Sequence, residues 1–246
     1  MYRFYTPNLD LSKDDVILAN AKERHHLQHV LRLKAGTVVY LFDGDGNEVQ
    51  AKINHFEEMR IHFDVVSRNF KSLSVPQIIL ACAIPKRSKF ELIIEKTTEL
   101  GVAEIYPMIT HRTELKMKKE GLHRKDERFS SVAVNAAKQS QRAHVPVIHP
   151  IEPFKSVLPV LAERGVTLIP SLIGERKPLW QVIRHLDKPD LISYFIGPEG
   201  DFTPQEYEHA FRCGCQSVSL GETILKVETA AICVISALHL FYSDDY

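Results

Sequence analysis

Net charge is the first thing this 246-residue sequence lacks, since 31 Lys and Arg balance 31 Asp and Glu. That balance excludes a chain basic throughout, so any surface for nucleic acid has to be local. Cysteine is scarce and scattered, at Cys82, Cys213, Cys215 and Cys233. No Cys-x-x-Cys pair occurs, so no disulfide framework is legible, and a reducing, cytoplasmic compartment is expected. Cys213 and Cys215 lack the second pair that a thiolate metal site needs. No apolar run approaches the ~20 residues that span a bilayer, and MYRFYTPNLDLSKDD at the start has no apolar stretch of signal-peptide length. No membrane partner is expected. The phosphate-loop ending Gly-Lys-Ser/Thr and the dinucleotide fingerprint Gly-x-Gly-x-x-Gly are also absent, which disfavours a Rossmann-type enzyme.

What is present suits a globular chain. Hydrophobic residues make up 44% and charged residues 25%, enough to bury a core without disulfides or metal. No metal is expected. His25 and His29 stand at i, i+4, but no third ligand is marked near them, and Arg24 and Arg32 crowd the patch. The run Asp43-Gly44-Asp45-Gly46 opens like a calcium loop but has Glu48 where the loop needs glycine, and it reads as a hairpin turn.

The first part reads as β-rich, with short apolar runs at 16–19 and 37–42 and two further strands at 48–56 and 60–66. One helix, 21–33, interrupts them, with Leu27, Val30, Leu31 and Leu33 at roughly helical spacing. A small barrel over residues 1–70 is the expectation. From residue 71 strands and helices alternate, with strands expected at 78–84, 102–109, 145–149, 166–171, 191–196 and 217–220. That alternation predicts an α/β domain with a parallel sheet covered on both faces. Capping boxes mark helices at Ser88–Glu91 and Thr203–Glu206, the second with proline at its first position. The last helix, about 228–241, is apolar on most sides, which suits either a core or a subunit interface.

Two segments carry the chemical signal. Ile196-Gly197-Pro198-Glu199-Gly200-Asp201 follows an apolar strand and precedes a capped helix, the place where open α/β sheets bind ligands. Leu220-Gly221-Glu222-Thr223-Ile224-Leu225-Lys226-Val227-Glu228 leaves the next strand through a partly apolar loop. It suits a ligand with an apolar and a polar part, such as an adenosine. Glu228 falls near the final helix N-terminus, where the dipole favours a carboxylate, so capping and catalysis are both open to it.

These two segments resemble the RsmE family of ribosomal RNA small-subunit methyltransferases, within the SPOUT class. The resemblance extends to EKTTELGV (95–102), AAKQSQR (136–142) and HHLQHVLRLKAGTVVYLFDGDG (25–46), in order along nearly the whole chain. It implies a PUA-like β-barrel at 1–70, followed at 71–246 by a SPOUT domain with a C-terminal trefoil knot, working as a homodimer. It further implies S-adenosylmethionine as methyl donor and N3 of a uridine in small-subunit ribosomal RNA, free or in the assembled subunit, as acceptor. The donor would be held by Ile196, Gly197, Gly200, Leu220, Gly221 and Leu225. Glu199, Glu228 and Arg142 are the expected catalytic groups, the carboxylates as bases and the guanidinium against negative charge on the base. Arg3, Arg32, Arg87, Lys89, Arg112 and Lys226 are the expected RNA contacts, within basic runs at 86–89 and 111–142 that would make binding salt-dependent. The chain departs from the family at Thr223 and Lys226, where arginines are usual, and at Asp201, where glycine is usual. Another RNA target, or a non-catalytic RNA-binding or assembly factor of the same fold, stays open at this point.

Overall fold

Period-two burial builds the N-terminal part of the chain. In the computed structural model, which describes residues 2–7, 9–86, 89–114, 119–187 and 189–243 and the backbone alone for 119–124, the elements run as follows. They are β1 (Arg3–Tyr5), β2 (Asp15–Leu18), α1 (Ala21–His25), β3 (Val38–Phe42), β4 (Asn47–Phe56) and β5 (Ile61–Phe70). They form a curled five-stranded sheet in the order β1-β3-β4-β5-β2, antiparallel except where β1 lies along β3. Alternate residues point inward onto a core of Phe4, Leu18, Leu27, Leu41, Val49, Ile53, Ile61 and Phe63. The expected helix 21–33 is shorter and of two kinds: α1 gives way to a π-helical turn, His26–Val30, and Arg32 takes a φ of 52°. That turn keeps Leu27 buried while the chain unwinds. Asp43 closes the expected hairpin, its carboxylate accepting from the amides of Asp45 and Asn47 at 2.8 and 3.1 Å.

This unit comprises residues 1–73 together with 137–145. Nothing in the sequence marks 137–145 as its neighbour. Within the unit, Lys138 makes a salt bridge to Glu23 at 2.7 Å and His144 bridges to Gly44 and Asp45. The second unit, 74–136 and 146–246, contains β6 (Gln77–Ala83), α2 (Lys89–Glu99), β7 (Glu104–Ile109), most of α3 (Lys119–Gln139), β8 (Val147–Ile148), β9 (Glu152–Pro153), α4 (Phe154–Arg164) and β10 (Val166–Pro170). It closes with β11 (Lys177–Pro178), α5 (Leu179–Ile183), β12 (Leu191–Ile196), α6 (Pro204–Arg212), β13 (Gln216–Ser219) and α7 (Val227–Tyr242). All its strand pairs are parallel, in the order β11-β13-β10-β12-β6-β7-β8, with β9 also on β7. The six expected strands are all there; the two-residue β9 and β11 are too short to show a pattern.

Central strands β6, β10 and β12 are apolar on both sides because helices cover both faces. One layer packs Phe154, Leu158 and Leu161 of α4 against Ile79, Ile169 and Phe195. The α6 capping box forms as the sequence predicts, with Thr203 Oγ1 accepting from the Glu206 amide and the Glu206 carboxylate accepting from the Thr203 amide. Ser88 of the other expected box lies outside the described residues.

Candidate active site

Three strand ends of the second unit converge on one cavity. The loops leaving β10, β12 and β13 enclose about 610 Å³, within the range of small-molecule sites. From the β12 loop come Ile196, Gly197, Pro198, Glu199 and Asp201; from the β13 loop, the chain from 219 to 227. The β10 loop adds Pro170, Ser171, Leu172 and Arg176, and Lys89 of α2 completes the wall. Five of the six residues expected to hold a cofactor, Ile196, Gly197, Leu220, Gly221 and Leu225, therefore line one cavity. Gly200 sits on the same loop, outside the wall.

Side chains fasten the β12 loop. A Cβ at Gly197 would stand 3.1 Å from the Phe202 ring, so glycine there lets Phe202 fold under the loop into the core. Asp201 takes the left-handed backbone, φ 63°, that the usual glycine would occupy; aspartate tolerates that region. Its carboxylate accepts from the Phe202 amide at 2.8 Å and from the Tyr207 hydroxyl at 2.7 Å, and burial followed by this carboxylate pushes the Tyr207 hydroxyl pKa up. Arg112 donates to the carbonyls of Gly200 and Phe202. Glu199 is exposed and accepts from the Lys86 amide at 2.9 Å. On the β13 loop, Gly221 has φ 119°, a conformation L side chains rarely adopt.

Glu228, in the first turn of α7, pairs with Lys89 at 3.0 Å. Burial raises its pKa, but its own amide, Lys89 and Lys226 outweigh that and hold it below the ordinary carboxylate range. Lys89 and Lys226, expected as RNA contacts, stand on the cavity wall. Charged groups of both signs line it: Lys89, Arg176 and Lys226 against Glu199, Asp201 and Glu222.

Three expected residues belong to the first unit. Arg3 is 8% exposed, paired with Glu48 and 4.9 Å over the Phe42 ring, and it donates to the Arg142 carbonyl. It is an internal strut of the first unit, which goes against the expectation of an RNA contact. Burial pushes the Arg142 guanidinium down to about 10. Arg32 is exposed. Arg87 lies outside the described residues. In the expected basic run 111–142, Arg128 pairs with Glu91 and Lys138 with Glu23, so part of that charge is internal to the fold. The sequence reading missed the β10 loop and Arg176; neighbouring strand ends share a crevice, but the order β13-β10-β12 is not legible along the chain.

The RNA methyltransferase domain family matches residues 71–239, and the RNA methyltransferase PUA domain matches 18–64. A ribosomal RNA small subunit methyltransferase E of Synechocystis is 32% identical, with 96% of this chain and 78% of that protein aligned. The chain belongs to the ribosomal RNA small subunit methyltransferase E family. The Bacillus subtilis member is 27% identical over 88% of this chain and 87% of its own. The Neisseria gonorrhoeae member, solved bound to S-adenosyl methionine, superposes with a TM-score of 0.88 at 30% identity, covering 100% of both chains. A putative methyltransferase of Legionella pneumophila, solved with the same cofactor, gives 0.87 at 28% identity over 97% of each chain. Within the family's PUA and methyltransferase organisation, the cavity falls in the methyltransferase part, and no helix among the described residues is long and apolar enough to cross a membrane.

Proposed function

We propose that this chain methylates small-subunit ribosomal RNA with S-adenosylmethionine, at N3 of a uridine. The cavity at the ends of β10, β12 and β13 carries this reading, because it joins the residues of both family motifs in one donor-sized crevice. Its walls suit the donor: Ile196, Leu220 and Leu225 offer an apolar slot for adenine, and the acids and bases around them match an amino-acid tail of both charges. When bound, the donor supplies a methyl group already activated on a sulfonium, so no metal is called for.

The protein's tasks are to align N3 with the methyl carbon and to accept the N3 proton. As the N3–C bond forms the C–S bond breaks, and the pair of electrons stays on sulfur. Glu199, exposed on the wall, is the proton acceptor in this proposal; Glu228 is engaged by Lys89 and fixes the start of α7. Lys226 on the same wall meets negative charge developing on the base, and Arg142, whose burial weakens its solvation, is assigned the same task. Arg32 on the barrel is the proposed phosphate contact of the first unit, with Arg87 and Arg112 those of the second. The boundary between RNA-binding and catalytic domains is placed near residue 70.

We place the methyltransferase unit in the SPOUT class, knotted at its C-terminus and dimeric. The strand order supports this: β12 lies between β6 and β10, β13 lies beyond β10, and α7 then packs on α2, β6 and β12. Transfer of labelled methyl to small subunits lacking the modification, followed by nucleoside analysis, tests the whole reading. Labelled 3-methyluridine is expected; no transfer to subunits or naked RNA by folded protein overturns it.

A further inference from the structure

The hairpin of β4 and β5 ends in a cluster unrelated to the cavity. His55 and His62 are direct cross-strand partners, so both imidazoles leave the same face of the sheet. Their rings stack 4.4 Å apart at 7°. Glu57, at the start of the turn, faces both: His55 Nε2 stands 3.6 Å from Glu57 Oε1, and His62 Nε2 stands 3.2 Å from Oε2.

Three features distinguish this from a chance surface pair. Ligand atoms on a tetrahedral ion with bonds of ~2.0–2.2 Å stand about 3.3–3.6 Å apart; His55 Nε2 meets that spacing from one Glu57 oxygen at 3.6 Å, and His62 Nε2 stands just inside it from the other at 3.2 Å. The far nitrogen of each ring has its own acceptor: His62 Nδ1 lies 3.5 Å from Asp15 Oδ2, and His55 Nδ1 lies 3.3 Å from Asn54 Oδ1. An outer acceptor on one ring nitrogen is how proteins aim the other at a metal. A register shift between Ile53 and His55 re-aims the strand here, and Asn54 is held in turn by Asp64 at 2.8 Å. Finally, His62 Nε2 is shielded from solvent and meets Glu57 Oε2 at 3.2 Å, so the carboxylate and this imidazole already converge on one point.

We propose that the β4–β5 hairpin tip binds one divalent transition-metal ion through His55 Nε2, His62 Nε2 and a Glu57 carboxylate oxygen. Two imidazoles and one carboxylate select a zinc-class ion over magnesium or calcium. A tilt of His55, whose side chain is 53% exposed, turns its lone pair out of the stack and onto the ion. The ion clamps β4 to β5 and, through Asp15, ties the edge strand β2 to them. Sequence spacing hides the site, because its two histidines sit seven residues apart on different strands.

The test uses the full chain, freed of metal by a chelator and titrated with Zn²⁺ against a chromophoric competitor, then with Co²⁺ for its visible absorption. One equivalent per chain is expected, with the tetrahedral cobalt bands and a higher melting temperature in metal. His55→Ala changes an exposed side chain and keeps the fold; it and Glu57→Gln should each weaken binding at least about tenfold, and Asp15→Asn by about 10- to 100-fold. His25→Ala should change nothing. No stoichiometric uptake, or uptake undiminished in folded His55→Ala, overturns the site and assigns any bound ion to adventitious ligands.

Discussion

Glu199 and Glu228, offered alike by the sequence as bases, separate at the scale of single residues, and Arg112 gains a contact the sequence did not show. Glu199 is exposed on the cavity wall, whereas Glu228 is committed to Lys89. Glu199→Gln is therefore expected to lower the single-turnover rate of methyl transfer by about 10²–10⁴-fold, the usual worth of a general base, with donor affinity nearly unchanged. Glu228→Gln should instead weaken donor binding by disturbing the start of α7, and a calorimetric titration beside the single-turnover rate tells the two apart. Arg112, an expected RNA contact, grips the carbonyl of Gly200 beneath the donor loop. Arg112→Ala is expected to cost about 1 kcal/mol of donor binding, roughly fivefold. An unchanged donor affinity with a shallower salt dependence of RNA binding would leave Arg112 with its proposed phosphate role alone. The motif residues were legible because glycines and carboxylates at strand ends have few other uses. Arg3 was not legible: an arginine three residues from the start reads as solvent-exposed until Glu48 and Phe42 close around it.

Elements were legible where a single period ruled. β3, β4 and β12 and the capped α6 follow from alternation, apolar runs and a capping box. The π-helical turn after α1 broke the helical expectation because its hydrogen bonds reach one residue further, and a loosely spaced apolar set hides that difference. β7 and α4 show another contribution that sequence conceals. Glu104 of β7 accepts from Arg164 of α4 and lies 2.7 Å from His149 Nε2, under a Tyr106 ring stacked on His149. Burial raises the Glu104 pKa, but His149 and Arg164 more than offset it and bring it down to about 2 from 4.5. A carboxylate with a depressed folded pKa stabilises fully above its unfolded value and loses that contribution as pH falls through the folded one. The expected outcome is that Glu104→Gln costs on the order of 3 kcal/mol at pH 7. The difference from wild type should shrink from about pH 4.5 downward and vanish near pH 2. Denaturant melts of both proteins across that range check it; a difference independent of pH would show that shape rather than charge matters there.

For the whole molecule, the apolar last helix allowed two readings in the sequence, core or interface, and α7 is buried along one part of its surface and exposed at its end. Ala231, Val234, Ile235 and Leu238 are buried, while Leu240 and Phe241 at its end stay 63% and 49% exposed. Trp180 of α5, a helix that packs on α7, is 56% exposed, and Ile224 on the cavity loop is 79% exposed. A contiguous apolar surface of this kind would call for a partner, and the proposed dimer would supply a second copy as that partner. On this view the loop bearing Ile224 is completed by the dimer, so association and donor binding are coupled. Leu240→Glu is then expected to convert a species of twice the chain mass into a single chain, measured by light scattering, and to weaken donor binding in the same variant. Dilution of the wild type should weaken donor binding in parallel, because mass action ties the two equilibria together. A wild type that scatters as one chain at every concentration, yet binds the donor, would leave the cavity complete within one copy and assign the apolar end of α7 to another partner.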